Sequence, residues 1–84
     1  MNKFLITVMV PTIEEEYDVY IPNNKKIGTI KKYLLKAISE MSSNNFSKMV
    51  EDVRIIDRNT GLEYDNDMYV KDTGIKNGSK IILM

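Results

Sequence analysis

The sequence predicts an α+β domain: a mixed sheet of four to five strands packed on one helix, in the order ββαββ(β). Three observations predict it. Apolar residues alternate with period two over 3–10 and 17–21, the period lengthens to that of a helix after Pro22, and short β-branched runs separated by turn residues complete the chain. At 84 residues, 43% apolar and 29% charged, the chain has the length and makeup of one globular domain, so 1–84 reads as a single unit.

In the first strand, Phe4, Ile6, Val8 and Val10 share one face while Lys3, Leu5, Thr7 and Met9 share the other. Tyr17, Val19 and Ile21 repeat that pattern against Asp18 and Tyr20, and the short link from Pro11 to Glu15 makes the two strands an antiparallel hairpin. Ile27, Ile30, Leu34, Ala37, Ile38 and Met41 then fall in one stripe at helical spacing, with Tyr33 and Leu35 at its margins and Lys25, Lys32 and Lys36 opposite. Asn23 or Asn24 is the expected cap, and Ser42-Ser-Asn-Asn45 the stop.

Phe46 and Met49 are expected to fold back over the end of the core. A third strand is predicted at 52–57, with Val53 and Ile55 facing in and Arg54 and Ile56 facing out. Asn59-Thr-Gly61 and Asp65-Asn-Asp67 read as turns around a brief strand starting at Leu62. A short peripheral strand is expected before the tight-turn pair Asn77-Gly78, and Lys80-Ile-Ile-Leu-Met84 reads as a central strand.

Twelve basic and twelve acidic residues cancel, so net charge favours neither a polyanion nor an anionic membrane. A protein partner is the expectation that remains. With no Cys there is no disulfide, thiolate nucleophile or Cys-based zinc site, and with no His the commonest general base and metal ligand is missing. Catalysis would rest on Asp, Glu, Lys, Tyr or Ser in a domain whose helix fills the concave side of its sheet, so no enzyme activity and no cofactor are expected. The run Phe4–Val10 is too short to span a bilayer and does not read as a secretion signal, so a cytoplasmic protein is expected.

Tyr17-x-Val19-x-Ile21, Ile27-x-x-Ile30-x-x-x-Leu34, then Leu62, Val70, Ile75 and Ile81-x-Leu83 follow a known core spacing. With Gly61-Leu62-Glu63 and Asp72-Thr-Gly-Ile75-Lys-Asn-Gly78, they make the chain resemble the ubiquitin-like β-grasp family over nearly its whole length. Conjugated members of that family and its sulfur carriers act through a Gly-Gly tail, whereas this sequence stops at Met84 inside a predicted strand, so the resemblance implies a member that is not conjugated. Among free-standing members it most resembles the YukD/EsaB family of type VII (WXG100, Esx-type) secretion accessory proteins. That resemblance implies a non-catalytic bacterial accessory or regulatory factor, with a membrane-anchored FtsK/SpoIIIE-type ATPase or an associated membrane subunit as partner. A modifier or sulfur carrier cut before its tail, and a ubiquitin-like domain cut from a larger protein, are the alternatives.

Four outward residues are expected to gather if the first, third and last strands are neighbours: Leu5, Ile56, Ile82 and Met84. Such a cluster reads as a protein-docking patch, resembling the sheet face by which ubiquitin is recognised, or as a homodimer face. Lys25, Lys26, Lys32 and Lys36 could form a basic patch for an acidic partner or for nucleic acid, but with Tyr33 the only nearby ring they read as a solvated helix face, and Glu14-Glu-Glu16 reads as solvated turn charge. Asp57-x-Asn59-x-Gly61 and Asp65-Asn-Asp67 lack the Gly and Glu of a calcium loop and read as turns. No phosphate-cradling glycine motif occurs, and Asn45-Phe-Ser47, though it matches a glycosylation acceptor, has no use in a cytoplasmic chain.

Overall fold

The computed structural model describes residues 2–42 and 48–84. Alternation builds the first hairpin: β1 (Lys3–Val10) buries Ile6, Val8 and Val10, and β2 (Glu15–Pro22) buries Val19 and Ile21. They pair antiparallel from Lys3↔Pro22 to Val10↔Glu15, so β2 runs beyond the predicted 17–21 at both ends. The link is a turn of 3-10 helix, Pro11–Ile13, with Pro11 where a missing N–H costs nothing. Glu14 closes it at φ 53°, its N–H donating to the Pro11 carbonyl at 3.1 Å.

The helix, α1 (Ile27–Met41), lays Ile27, Ile30, Leu34, Leu35 and Ile38 against the sheet. Two expectations about its stripe are corrected. Leu35 is buried, since a helix covering a sheet uses a face wider than one narrow seam, while Met41 is 49% exposed in the final turn. The start is corrected too. Lys26 stands at the cap position, without a side-chain cap bond, in place of Asn23 or Asn24. The Ile27 and Gly28 amides donate instead to the carbonyls of Met68 at 2.8 Å and Asn66 at 3.0 Å, so a distant loop caps the helix through its backbone.

Lys31 is the one buried charged residue among those described, 3% exposed. It lies four residues after Ile27 and four before Leu35, so its stem is placed in the stripe. No buried polar side-chain atom among the described residues lacks a hydrogen-bond partner, as expected if a long cation packs its methylenes and keeps its head in water.

The second half is less regular than predicted. Val50–Asp52 is a 3-10 turn, and β3 is only Ile55–Asp57, although Val53 and Ile55 are buried as expected. The segment at Leu62 makes an isolated bridge, Ile56↔Glu63, and no strand; Leu62 is 69% exposed, outside the core. Val70–Asp72 is a 3-10 turn where a peripheral strand was expected, though Val70 and Ile75 are buried. Met49 is 61% exposed and not part of the core, while Phe46 and the Asn45-Phe-Ser47 triplet lie outside the described residues. The turns follow the predicted chemistry. The Asp57 carboxylate accepts from the Asn59 N–H and the Thr60 hydroxyl, that of Asp65 from the Asp67 N–H, and Gly61 and Gly78 take positive φ.

β4 (Lys80–Leu83) enters the middle of the sheet, giving the order β2-β1-β4-β3. It is parallel to β1 (Val8↔Ile81, Met9↔Ile82) and antiparallel to β3 (Ile56↔Ile82). Beyond its end, Arg54 and Met84 exchange backbone hydrogen bonds, extending the β3–β4 ladder. Ile81 and Leu83 face α1 and are fully buried.

At the hairpin end, one carboxylate joins two elements: Glu15 Oε1 accepts from the Tyr17 hydroxyl and, at 2.8 Å, from the Ser42 hydroxyl at the helix C-cap. The bond to Glu15, then burial, raises the Tyr17 phenol above its ordinary 10.0. Burial, then the charge of Asp57, raises Tyr64.

Leu34→Ala is expected to cost about 2–5 kcal/mol in urea unfolding, Met41→Ala within about 0.5 kcal/mol, and Lys31→Met to leave stability equal or higher. Because the unfolded phenol ionises first, the stability due to Tyr17 is present below pH 10 and is lost as pH rises through the folded pKa. Absorbance titration of the native protein should therefore show a tyrosine component above the ordinary range that diminishes in Tyr17→Phe.

Candidate functional site

The strand register decides what gathers on the sheet face turned away from the helix. One row crosses all four strands: Glu16, Met9, Ile82, Ile56, with Glu63 bridged beyond. Three apolar side chains lie side by side with a carboxylate at either end. The neighbouring row toward the end of β4 holds Met84 beside Arg54. The row on the other side holds Asp18, Thr7 and Lys80, with the Thr7 hydroxyl donating to Asp18 Oδ1 at 2.8 Å.

Of the four predicted site residues, the structure brings together Ile56, Ile82 and Met84. Ile56 and Ile82 are paired and half-buried, and Met84, 45% exposed, follows two residues after Ile82 on the same side of its strand. Leu5 is not among them. It pairs with Tyr20 on β2, and its N–H donates to Asn77 Oδ1 in the turn before β4. Four residues separate it from the row of Ile82, about 13 Å at strand rise. Met9 takes the place expected for Leu5. Its alternation with Leu5 and Thr7 put it on this face, but only the β1–β4 register shows which of the two neighbours Ile82.

The island has a polar frame of two signs. Glu16 and Asp18 stand on the β2 side, and Arg54 and Lys80, with Glu63 beyond them, on the β3 and β4 side. A surface so arranged can bury a few apolar side chains against a partner while the surrounding charges set its orientation. Leu5 and Tyr20 make a second, smaller apolar pair at the far end of the same face.

The remaining candidates are dispersed. Glu14 closes the hairpin turn, Glu15 holds Tyr17 and Ser42, and Glu16 lies on the outer face, so the acidic run does not converge. Among the described residues, no group of three or more acidic side chains is placed to hold a metal ion. Open depressions of about 260 Å³ at the hairpin turn and about 280 Å³ on the helix, beside Tyr33, Lys36 and Glu40, are below the usual size of a small-molecule site. Among the described residues, no helix is long and apolar enough to cross a membrane.

No family model and no curated protein matches the chain. Solved structures do. The UBL domain of Plasmodium falciparum Dsk2 is similar at a TM-score of 0.75 and 20% identity, over 96% of this chain and 95% of that one. The ubiquitin of Caldiarchaeum subterraneum is similar at 0.73 and 12%, over 96% and 90%. A chain of an ESX-5 inner membrane complex is similar at 0.79 and 11%, over 100% of this chain and 21% of that one. These likenesses establish the fold: a ubiquitin-like fold, one helix packed on a four-stranded mixed sheet.

The two faces of β4 should respond differently to the same change. Ile82→Lys and Ile56→Lys are expected to leave a folded domain, with losses near 1 kcal/mol as for other half-exposed sites, whereas Ile81→Lys places an unpaired charge among fully buried side chains and should abolish the thermal transition.

Proposed function

We propose that this chain is a non-catalytic protein-interaction module that docks on a larger component through the outer face of its sheet. The observation that carries the reading is the row Met9–Ile82–Ile56 between Glu16 and Glu63, extended by Met84. Covering two or three of these side chains would supply roughly 3–6 kcal/mol before association costs. Thioethers at Met9 and Met84 suit a surface that adapts to its partner.

The finer reading is a cytoplasmic accessory or regulatory component of a bacterial type VII secretion system, docking on an FtsK/SpoIIIE-type ATPase or an associated membrane subunit. The YukD/EsaB resemblance of the sequence supports it. The likeness to a segment of a chain in the ESX-5 inner membrane complex, at 11% identity, is one of fold.

Affinity purification of the tagged chain from its native cell should recover the secretion ATPase, and the Ile56→Lys/Ile82→Lys double variant should lose it while keeping its fold. Lys32→Glu/Lys36→Glu on the exposed side of the helix should retain it. Retention by the first and loss by the second would move the interface to the helix. Recovery of other proteins without the ATPase would remove the secretion assignment and leave the docking face standing.

A further inference from the structure

At the end of the molecule opposite the Glu14–Glu16 turn, two segments distant in sequence meet. Lys26 and Tyr69 form an antiparallel bridge, the Val70 N–H donates to the Lys25 carbonyl at 2.9 Å, and the Lys71 N–H donates to that of Asn23 at 3.0 Å. This ribbon holds Tyr69 beside two cations: the ammonium groups of Lys26 and Lys71 each lie 5.9 Å from the centre of its ring. Lys25, Lys26 and Lys71 are exposed, Tyr69 is 42% exposed, and none of the three lysines has an ion-pair partner among the described residues.

Lys26 caps α1 and Lys25 precedes it, at the positive end of the helix dipole, and the first turn contains no acidic residue. Like charges therefore gather beside one another and beside the dipole's positive end, and although Asp67 lies in the capping loop and Asp72 follows Lys71, neither is ion-paired with them. Departures from a local rule of this kind are expected at functional sites. The helix amides are not the donors, since those of Ile27 and Gly28 are already bonded to Met68 and Asn66.

We infer that Lys26, Tyr69 and Lys71 form a clamp for an acidic peptide segment of a partner protein, separate from the sheet face. The two ammonium groups are at most about 12 Å apart, and alternate residues of an extended peptide project on one side at intervals of about 6.6 Å. Carboxylates on one side of an extended peptide can thus reach both lysines beside the Tyr69 ring. Holding both cations at one ring before the ligand arrives lowers the ordering cost of binding. A nucleic-acid strand fits less well. Both arginines of the chain, Arg54 and Arg58, belong to the β3 region and not to this cluster, which leaves Tyr69 without the guanidinium platform common at such sites.

Amide chemical shifts of the isotope-labelled chain, titrated with a hexaglutamate peptide at low salt, test this. Shifts confined to 25–26 and 69–71 are expected, weakening by about tenfold in Lys26→Glu/Lys71→Glu and retained in Tyr69→Phe, in Lys32→Glu/Lys36→Glu and in the Ile56→Lys/Ile82→Lys sheet variant. The inference is overturned if no shifts occur, if Lys26→Glu/Lys71→Glu binds as tightly as the parent, or if an oligothymidine of equal charge binds more tightly at the same residues. Retention in the sheet variant separates this surface from the docking face, so either can fail without the other.

Discussion

The parallel pairing of β1 with β4 is the constraint on which the rest of the molecule depends. Without it the chain holds a two-stranded hairpin and a separate short ladder between β3 and β4, neither of which can cover the helix. With it, Val8 and Ile81 meet on the inner side and Met9 and Ile82 on the outer side. One register therefore sets both the core beneath α1 and the apolar island that faces away from it. A slip of one residue would exchange the two sets of side chains, which the burial of Ile81 and Leu83 forbids.

The helix is fixed by what lies around it more than by its own ends. Neither its cap position nor its first turn carries the polar or acidic residue that favours a helix start, and the 66–68 loop supplies carbonyls to its first amides. At the other end, the Glu15 carboxylate ties Ser42 to β2. Through these ties the geometry of the loops is coupled to the packing of the core, and the Lys26–Tyr69–Lys71 arrangement is held by the backbone that caps the helix.

The sequence was most legible where a short-range period speaks for itself. Alternation over 3–10, the helical spacing of Ile27, Ile30, Leu34 and Ile38, and the turns at Gly61 and Asn77-Gly78 all depend on neighbours within a few residues. What was not legible depends on residues far apart. Asn23 and Asn24 satisfy the local rule for a cap, yet Met68 and Asn66 supply the partners. Leu62 has the composition of a strand residue, yet leaves the Gly61 turn in a segment that makes only one bridge to β3. Leu5 and Met9 are equivalent by alternation, and only the offset of β1 against β4 separates them. Lys31 could have been found, since its spacing from Ile27 and Leu35 places it in the stripe despite its charge.

The central place of β4 also bears on how the chain reaches its native state. Hairpin and helix are local and can form early, but β1 keeps one unpaired edge until residues 80–83 arrive from more than seventy positions away in sequence. A connection of that span closes slowly, because the entropy of a long loop is lost before its contacts are gained. In the interval, the bare backbone of β1 is a template for any passing extended segment. The nascent chain is therefore most vulnerable to misassembly along the strand that later anchors its sheet.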